Sequence, residues 1–225
     1  EPTRLEVPTI TRAKDGKIVM GADSPVPAIH YTLDGSEPTT SSLRYTQPIA
    51  HPEPVLVRAR VVGDAALLGP EAEASLDLAK TLWRVRSVSS QQTPGERAEH
   101  AIDGDPTTIW HTRYGARTPK PPHQVTIDLG EERTLLGFTY LPRQNGGNGT
   151  VGRYRIAVSL DGQRFASAAT GEFGNITRSP VEQRVLFEAP VRVRYLRFGA
   201  LSEVNGNAWA SAAEIGVIAV PQPHE

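Results

Sequence analysis

The run His100-Ala-Ile-Asp103-Gly-Asp105-Pro-Thr-Thr108-Ile-Trp110-His111, answered about a hundred residues later by Ala213-Glu214-Ile215, decides the fold of this chain. It crowds two carboxylates, a threonine hydroxyl and several backbone carbonyls into the nine residues from 100 to 108. Asp103-Gly104 and Asp105-Pro106 form turns readily and helices or strands poorly, so the carbonyls have no ladder to satisfy them. A hard cation such as Ca2+ takes about six to eight oxygens at about 2.3–2.6 Å. The stretch therefore reads as a loop closed over a structural cation. The plainer alternative is a set of Asx turns that bonds only to itself, with Glu214 in solvent.

Composition narrows the classes. The chain has 225 residues, long enough for two domains, and a formal net charge of −1. Up to residue 79 there are 7 Lys and Arg against 11 Asp and Glu, and 17 against 14 beyond it; neither imbalance is a footprint for nucleic acid or an anionic membrane. There are no cysteines, which excludes disulfides, thiolate metal sites and cysteine nucleophiles. No apolar run approaches the roughly 18 residues that span a bilayer. The chain opens on Glu1 without a methionine, so it is expected to be a processed product or a piece of something longer.

Twenty Gly and nineteen Pro mark many tight turns, and no segment keeps a helical period, so an all-β protein is expected. A first unit, residues 1–79, has short apolar runs at 17–20, 29–33, 55–62 and 74–78. A second, 80–225, has strand patterns at 82–88, 124–129, 135–141, 154–159, 181–187, 193–200 and 213–220, with Asp161-Gly162 turning towards a further strand near Phe165. No flexible Gly/Ser-rich linker separates the units.

Five stretches carry a family resemblance: AIDGDPTTIWHTRYGA (101–116), PKPPHQVTIDLG (119–130), GFTYLPRQNGGNGT (137–150), VSLDGQRF (158–165) and RYLRFGALSEVNGNAWASAAEI (194–215). They resemble the coagulation factor 5/8 type C, or discoidin-like, domains of the family 32 carbohydrate-binding modules, which include the N-terminal domain of galactose oxidase. In the first unit, IHYTLDGSEPT (29–39), YTQPI (45–49) and VLVRAR (55–60) resemble the small Ig-like domain at the C-terminal side of chitobiases and β-hexosaminidases. Together they imply a small Ig-like β-sandwich followed by a discoidin-type jelly-roll β-sandwich.

The resemblance also implies a site. A structural Ca2+ would be held by the carbonyls of His100, Asp105, Thr108 and Ala213 and by side-chain oxygens of Asp103, Thr108 and Glu214. It is expected at one end of the sandwich, with a sugar-binding surface on the opposite rim. There Arg143 and Asn148 would bond sugar hydroxyls, His111 an axial one, Trp209 would stack on the ring, and Tyr114 would form a second wall. Bland readings stand beside these: Arg143 as a solvated arginine, Asn148 as a residue chosen for left-handed backbone, His111 as a partner for a backbone group, and Trp209 as core. Trp83 and Trp110 read as core, and His123, with no second ligand at metal spacing, as structural. Asn148 and Asn175 each begin a glycosylation sequon that matters only in a eukaryotic secretory pathway.

The expected function is non-catalytic binding of terminal galactose or N-acetylgalactosamine, as the ancillary part of a secreted, periplasmic or cell-surface bacterial glycoside hydrolase such as a fucosidase or hexosaminidase. The partners are then the glycan and an upstream catalytic domain, with no nucleic acid and no membrane insertion. Asp103 and Asp105, the nearest carboxylate pair, are taken up by the cation in this reading, and no hydrolase constellation occurs elsewhere. Polar loop tips, Gln144–Gly149 and Glu203–Trp209, argue against the apolar spikes of lipid-binding relatives. A spacer with no working sugar site is the remaining alternative.

Overall fold

A computed structural model describes residues 5–23 and 28–222. Among these residues there is no α-helix; the elements are strands and two short 3₁₀ turns. The strands are β1 (Thr9–Arg12), β2 (Ile18–Gly21), β3 (Ala28–Thr32), β4 (Leu43–Arg44), β5 (Val55–Val62), β6 (Leu68–Leu76), β7 (Arg84–Val88), β8 (Trp110–His111), β9 (His123–Leu141), β10 (Arg153–Ser159), β11 (Ala166–Glu172), β12 (Gln183–Ala200), β13 (Ser211–Ala212) and β14 (Glu214–Ala219).

The chain divides into two compact units. Lys80–Val220 form one, while residues 221 and 222 rejoin the residues up to Ala79, where the Gln222 N–H donates to Glu53 (3.0 Å). The tail thus leaves the second unit at Val220, five residues before the expected boundary. In the first unit the sheet β4-β3-β5-β6 and the ribbon β1-β2 close over Ile18, Met20, Ile29, Val57, Ala59 and Val61, with Tyr31 and Leu33 packed against them. The alternation at 29, 31 and 33 therefore faces inward, and Gly35 takes the left-handed turn (φ 79°) that ends the strand.

The second unit is built on the antiparallel sheet β11-β10-β12-β9-β14, with β7 also pairing β9. Its inner face carries an aromatic stack. Tyr140 lies flat between Phe173 (5.0 Å) and Phe198 (5.3 Å), and Tyr154 stacks on Phe173 (4.4 Å). Trp110 is fully buried, its indole N–H donating to the Ser90 carbonyl (3.0 Å), and Trp83 is also buried. Asp161 accepts the N–H groups of Arg164 and Gln163, bonds that hold its carboxyl down to about 2 and fix the β10–β11 turn.

Two pairs of expected strands fuse. Segments 124–129 and 135–141 are one strand, β9, which bends at Gly130 (φ 87°), where its ladder with β12 skips from Asp128 to Arg133 before resuming; 181–187 and 193–200 likewise become β12, with register shifts at Leu186/Val191 and Val193/Tyr195. Each fused strand passes through charged residues that looked like a loop: Glu131, Glu132 and Glu188 are exposed where the strands run past the core, while Arg133 is buried beside them. Phe138, buried among four aromatic rings, is the centre of this packing. Phe138→Ala should lower stability by about 3–5 kcal/mol, measured by chemical denaturation.

Candidate functional site

The shortest strands position the site. Trp110–His111 pair with Ser211–Ala212, His111 opposite Ser211 and Trp110 opposite Ala212. At one end of this ribbon Thr112 and Ala210 exchange bonds, Thr112 N–H to the Ala210 carbonyl (2.9 Å) and Ala210 N–H to the Thr112 hydroxyl (3.0 Å). At the other end the chain runs directly into the 100–109 loop and into Glu214.

Beyond the Thr112 end the five expected recognition residues converge. The His111 ring is buried, with the exposed Tyr114 ring edge-on at 5.2 Å and the half-buried Trp209 ring tilted at 6.3 Å. His111 Nδ1 sits 2.6 Å from the Thr112 carbonyl, and Nε2 lies 3.3 Å from Asn148 Nδ2. Arg143 closes the row. Its Nη1 donates to Asn148 Oδ1 (2.7 Å), and its other nitrogens bond to Asn145. Burial pushes the His111 imidazole below its ordinary value, and the positive charge of Arg143 and the His123 ring press the same way against the pull of the Thr112 carbonyl and Glu96.

The bland readings can be weighed against this geometry. Arg143 bonds Asn145 and Asn148 at the exposed surface of its own loop. Among the described residues, left-handed backbone falls at Gly146 and Gly149 in this loop and not at Asn148. At Gly149 a Cβ would stand 2.9 Å from the Ser211 hydroxyl and 3.0 Å from the Ala210 backbone, so only glycine lets the two loops close. Trp209 is not core: its ring is only half buried, although its indole N–H is buried without a partner. His123 is buried and bonds the Ala208 carbonyl (2.6 Å), a structural contact.

Sequence reasoning missed the residues that hold the loops. Buried Glu203 accepts the N–H groups of Asn205 (2.7 Å) and Asn207 (2.9 Å), pinning the turn that presents Trp209. The buried Tyr140 hydroxyl donates to the Ser211 carbonyl (2.9 Å) and accepts from the Val151 N–H (3.1 Å), joining the Trp209 and Asn148 loops. Glu96 stands behind His111: its carbonyl accepts the His111 N–H (3.2 Å), while Oε2 is buried and unpartnered. A glutamate and a tyrosine carry no local pattern of their own, so only the fold reveals these roles.

The 100–109 loop contains the expected Asx turns and also gathers oxygens near Glu214. Asp103 Oδ1 accepts the Asp105 N–H (2.9 Å) and Asp105 Oδ1 the Thr107 N–H (3.0 Å), the expected Asx turns. Glu214, however, is buried rather than in solvent. The Thr108 hydroxyl lies 3.0–3.1 Å from both Asp103 carboxylate oxygens and from the Asp105 carbonyl. These are hydrogen bonds, the hydroxyl donating to one of the three acceptors at a time. Burial pushes the Glu214 carboxyl up and Asp103 adds to this, against the ion pair with Lys80 on Oε2 and the Gly104 N–H. Glu214 Oε1 is buried with no hydrogen-bond partner. The residues fit a hard cation, with Lys80 holding a positive charge on one oxygen of Glu214 and the other left open. His100 closes the loop through Nδ1 and the Ile109 carbonyl (3.2 Å). Among the described residues no three His, Cys, Asp or Glu side chains meet, so a cation here depends on hydroxyl and backbone oxygens.

The acidic loop and the gathered side chains lie at the two ends of one short ribbon. Thr108 and Glu214 are each three residues from the His111–Ser211 pair, and three residues of extended chain span at most about 11 Å. The short ribbon carries both.

The loops of this β-sandwich gather an arginine, an asparagine, a histidine and two aromatic rings on one surface. The chain belongs to the F5/8 type C domain family, which matches residues 86–215; residues 9–68 match the chitobiase/β-hexosaminidase C-terminal domain. A galactose oxidase of Gibberella zeae is 35% identical over 162 residues, 65% of this chain and 22% of that protein. A sialidase of Micromonospora viridifaciens is 41% identical over 138 residues, 59% of this chain and 21% of the sialidase. The chain thus spans about a fifth of the length of these curated relatives. A CBM32 module from Clostridium perfringens, solved with GalNAc-β-1,3-galactose, is 30% identical with a TM-score of 0.56, covering 62% of this chain and 96% of the module.

Tyr140→Phe should strand the Ser211 carbonyl and Val151 N–H in the interior, costing about 1–3 kcal/mol in chemical denaturation.

Proposed function

We propose that the second unit is a non-catalytic module that binds terminal galactose or N-acetylgalactosamine, using His111, Tyr114, Arg143, Asn148 and Trp209. The convergence of these side chains from separate loops around one buried histidine carries the reading. Arg143 and Asn148 supply paired donors and acceptors for neighbouring hydroxyls, and the aromatic rings supply a face for the apolar side of a pyranose. The ligand of the C. perfringens module supports the choice of sugar. In this reading the chain is the accessory part of a secreted bacterial glycoside hydrolase, and the first unit is a connector.

A structural Ca2+ belongs to the same proposal. His100, Asp105, Thr108 and Ala213 would offer carbonyls, and Asp103, Thr108 and Glu214 side-chain oxygens. The bound ion would neutralise the two carboxylates and tie the 100–109 loop to the start of β14.

One shallow site with a few hydrogen bonds and one stacking contact should bind with about −4 to −6 kcal/mol, millimolar to high micromolar, with avidity from the parent enzyme. Calorimetric titration with galactose and N-acetylgalactosamine should show this affinity, and Arg143→Ala or Trp209→Ala should weaken it at least tenfold in a chain that still melts normally. No binding of either sugar by the native chain would leave the spacer reading standing. Ca2+ at a hundred times its Kd should stabilise the unit by about 2.7 kcal/mol in a thermal melt, and Glu214→Gln should remove most of that gain. A native melt indifferent to Ca2+ and to chelator would remove the cation from the account.

A further inference from the structure

We propose that a directional hydrogen-bond relay, Arg143 to Asn148 to His111 to Thr112, makes His111 Nε2 an acceptor for a ligand hydroxyl, so that the site releases its sugar on acidification. The proposal rests on the sugar-binding reading above and adds regulation to it.

The direction of the relay follows from its two ends. A guanidinium only donates, so the Arg143 Nη1 contact fixes Asn148 Oδ1 as the acceptor and turns Nδ2 towards His111. A carbonyl only accepts, so the 2.6 Å contact to Thr112 requires the proton on His111 Nδ1. Nε2 is then a bare lone pair in the neutral ring, and it accepts from Asn148 Nδ2. At 3.3 Å this is the longest link of the three, and Asn148 is exposed, so a ligand hydroxyl can take its place. The site therefore asks for a donor at His111 and an acceptor at Arg143, which a hydroxylated sugar supplies.

A proton on Nε2 reverses the first requirement. The ring becomes a donor at both nitrogens, faces the Asn148 amide donor, and places a second positive charge beside Arg143. The charged and titratable groups around the ring are Glu96 from the preceding turn, Arg143 from the 142–151 loop, His123 at the start of β9 and the Tyr114 ring edge-on at 5.2 Å. Burial opposes the proton most, and Arg143 and the His123 ring add to it; the Thr112 carbonyl and Glu96 favour it, and the balance leaves the ring neutral at neutral pH and charging only below its usual range. Sugar binding is then complete above about pH 6.5 and is lost as pH falls through the ring's lower folded value.

Two measurements test this on the full chain with Ca2+ present. Imidazole nitrogen NMR without sugar should show Nδ1 protonated and Nε2 bare at neutral pH, with His111 and the Asn148 side-chain amide titrating together below pH 6.5. Galactose affinity, followed from about pH 8 to 5, should fall towards tenfold per pH unit below that midpoint. His111→Gln, with a side chain that does not titrate, should bind more weakly but without this fall; it also controls for acid effects at Glu214. A protonated Nε2 at neutral pH, or native affinity equal at both ends of the range, or a parallel fall in His111→Gln, would overturn the proposal. An intact relay in a chain that binds no galactose at any pH would instead overturn the sugar reading.

Discussion

Two residues paired with two residues hold the functional part of this molecule together. The pairing of Trp110–His111 with Ser211–Ala212 joins segments a hundred positions apart in the chain. It is short, but it is anchored on both sides: Trp110 is fully buried, and the Tyr140 hydroxyl bonds the carbonyl of Ser211. One end of the ribbon opens into the acidic loop with Glu214, the other into the cluster of His111, Tyr114 and Trp209. A rigid sheet beneath and close-packed loops above place polar side chains without requiring each loop to be stable alone.

The fold was largely legible in the sequence, and the reasons are local. Alternation in Tyr154–Ser159, with Asp161-Gly162 after it, is a pattern that few structures other than a hairpin satisfy. The joins were less legible. Gly130 looked like the end of a strand because glycine usually is one, yet here a left-handed residue bends β9, and its ladder with β12 resumes at Arg133 after a register shift. The ribbon β8–β13 escaped notice because two residues are too few to show any period.

The recognition residues were legible as chemistry but not as geometry. Arg143, Asn148 and Trp209 stood out as polar and aromatic groups in Gly-rich surroundings, and the fold brings them to His111. Glu203, Glu96 and Tyr140 did not stand out, since their roles depend on partners far along the chain or on burial that no short window displays. The same limit hides how near the acidic loop lies: three residues separate Thr108 from His111 in the sequence, and the ribbon sets Glu214 three residues from His111's partner Ser211.

The central claim is that one site, assembled around His111 from three loops and supported by the neighbouring acidic loop, receives a galactose-type sugar. A crystal structure of the chain grown with galactose and Ca2+ tests it most directly. The account requires the sugar between Tyr114 and Trp209, with hydroxyls bonded to His111 and Arg143, and an ion among Asp103, Thr108 and Glu214. A sugar bound at another face, or density at neither place under saturating conditions, would contradict it.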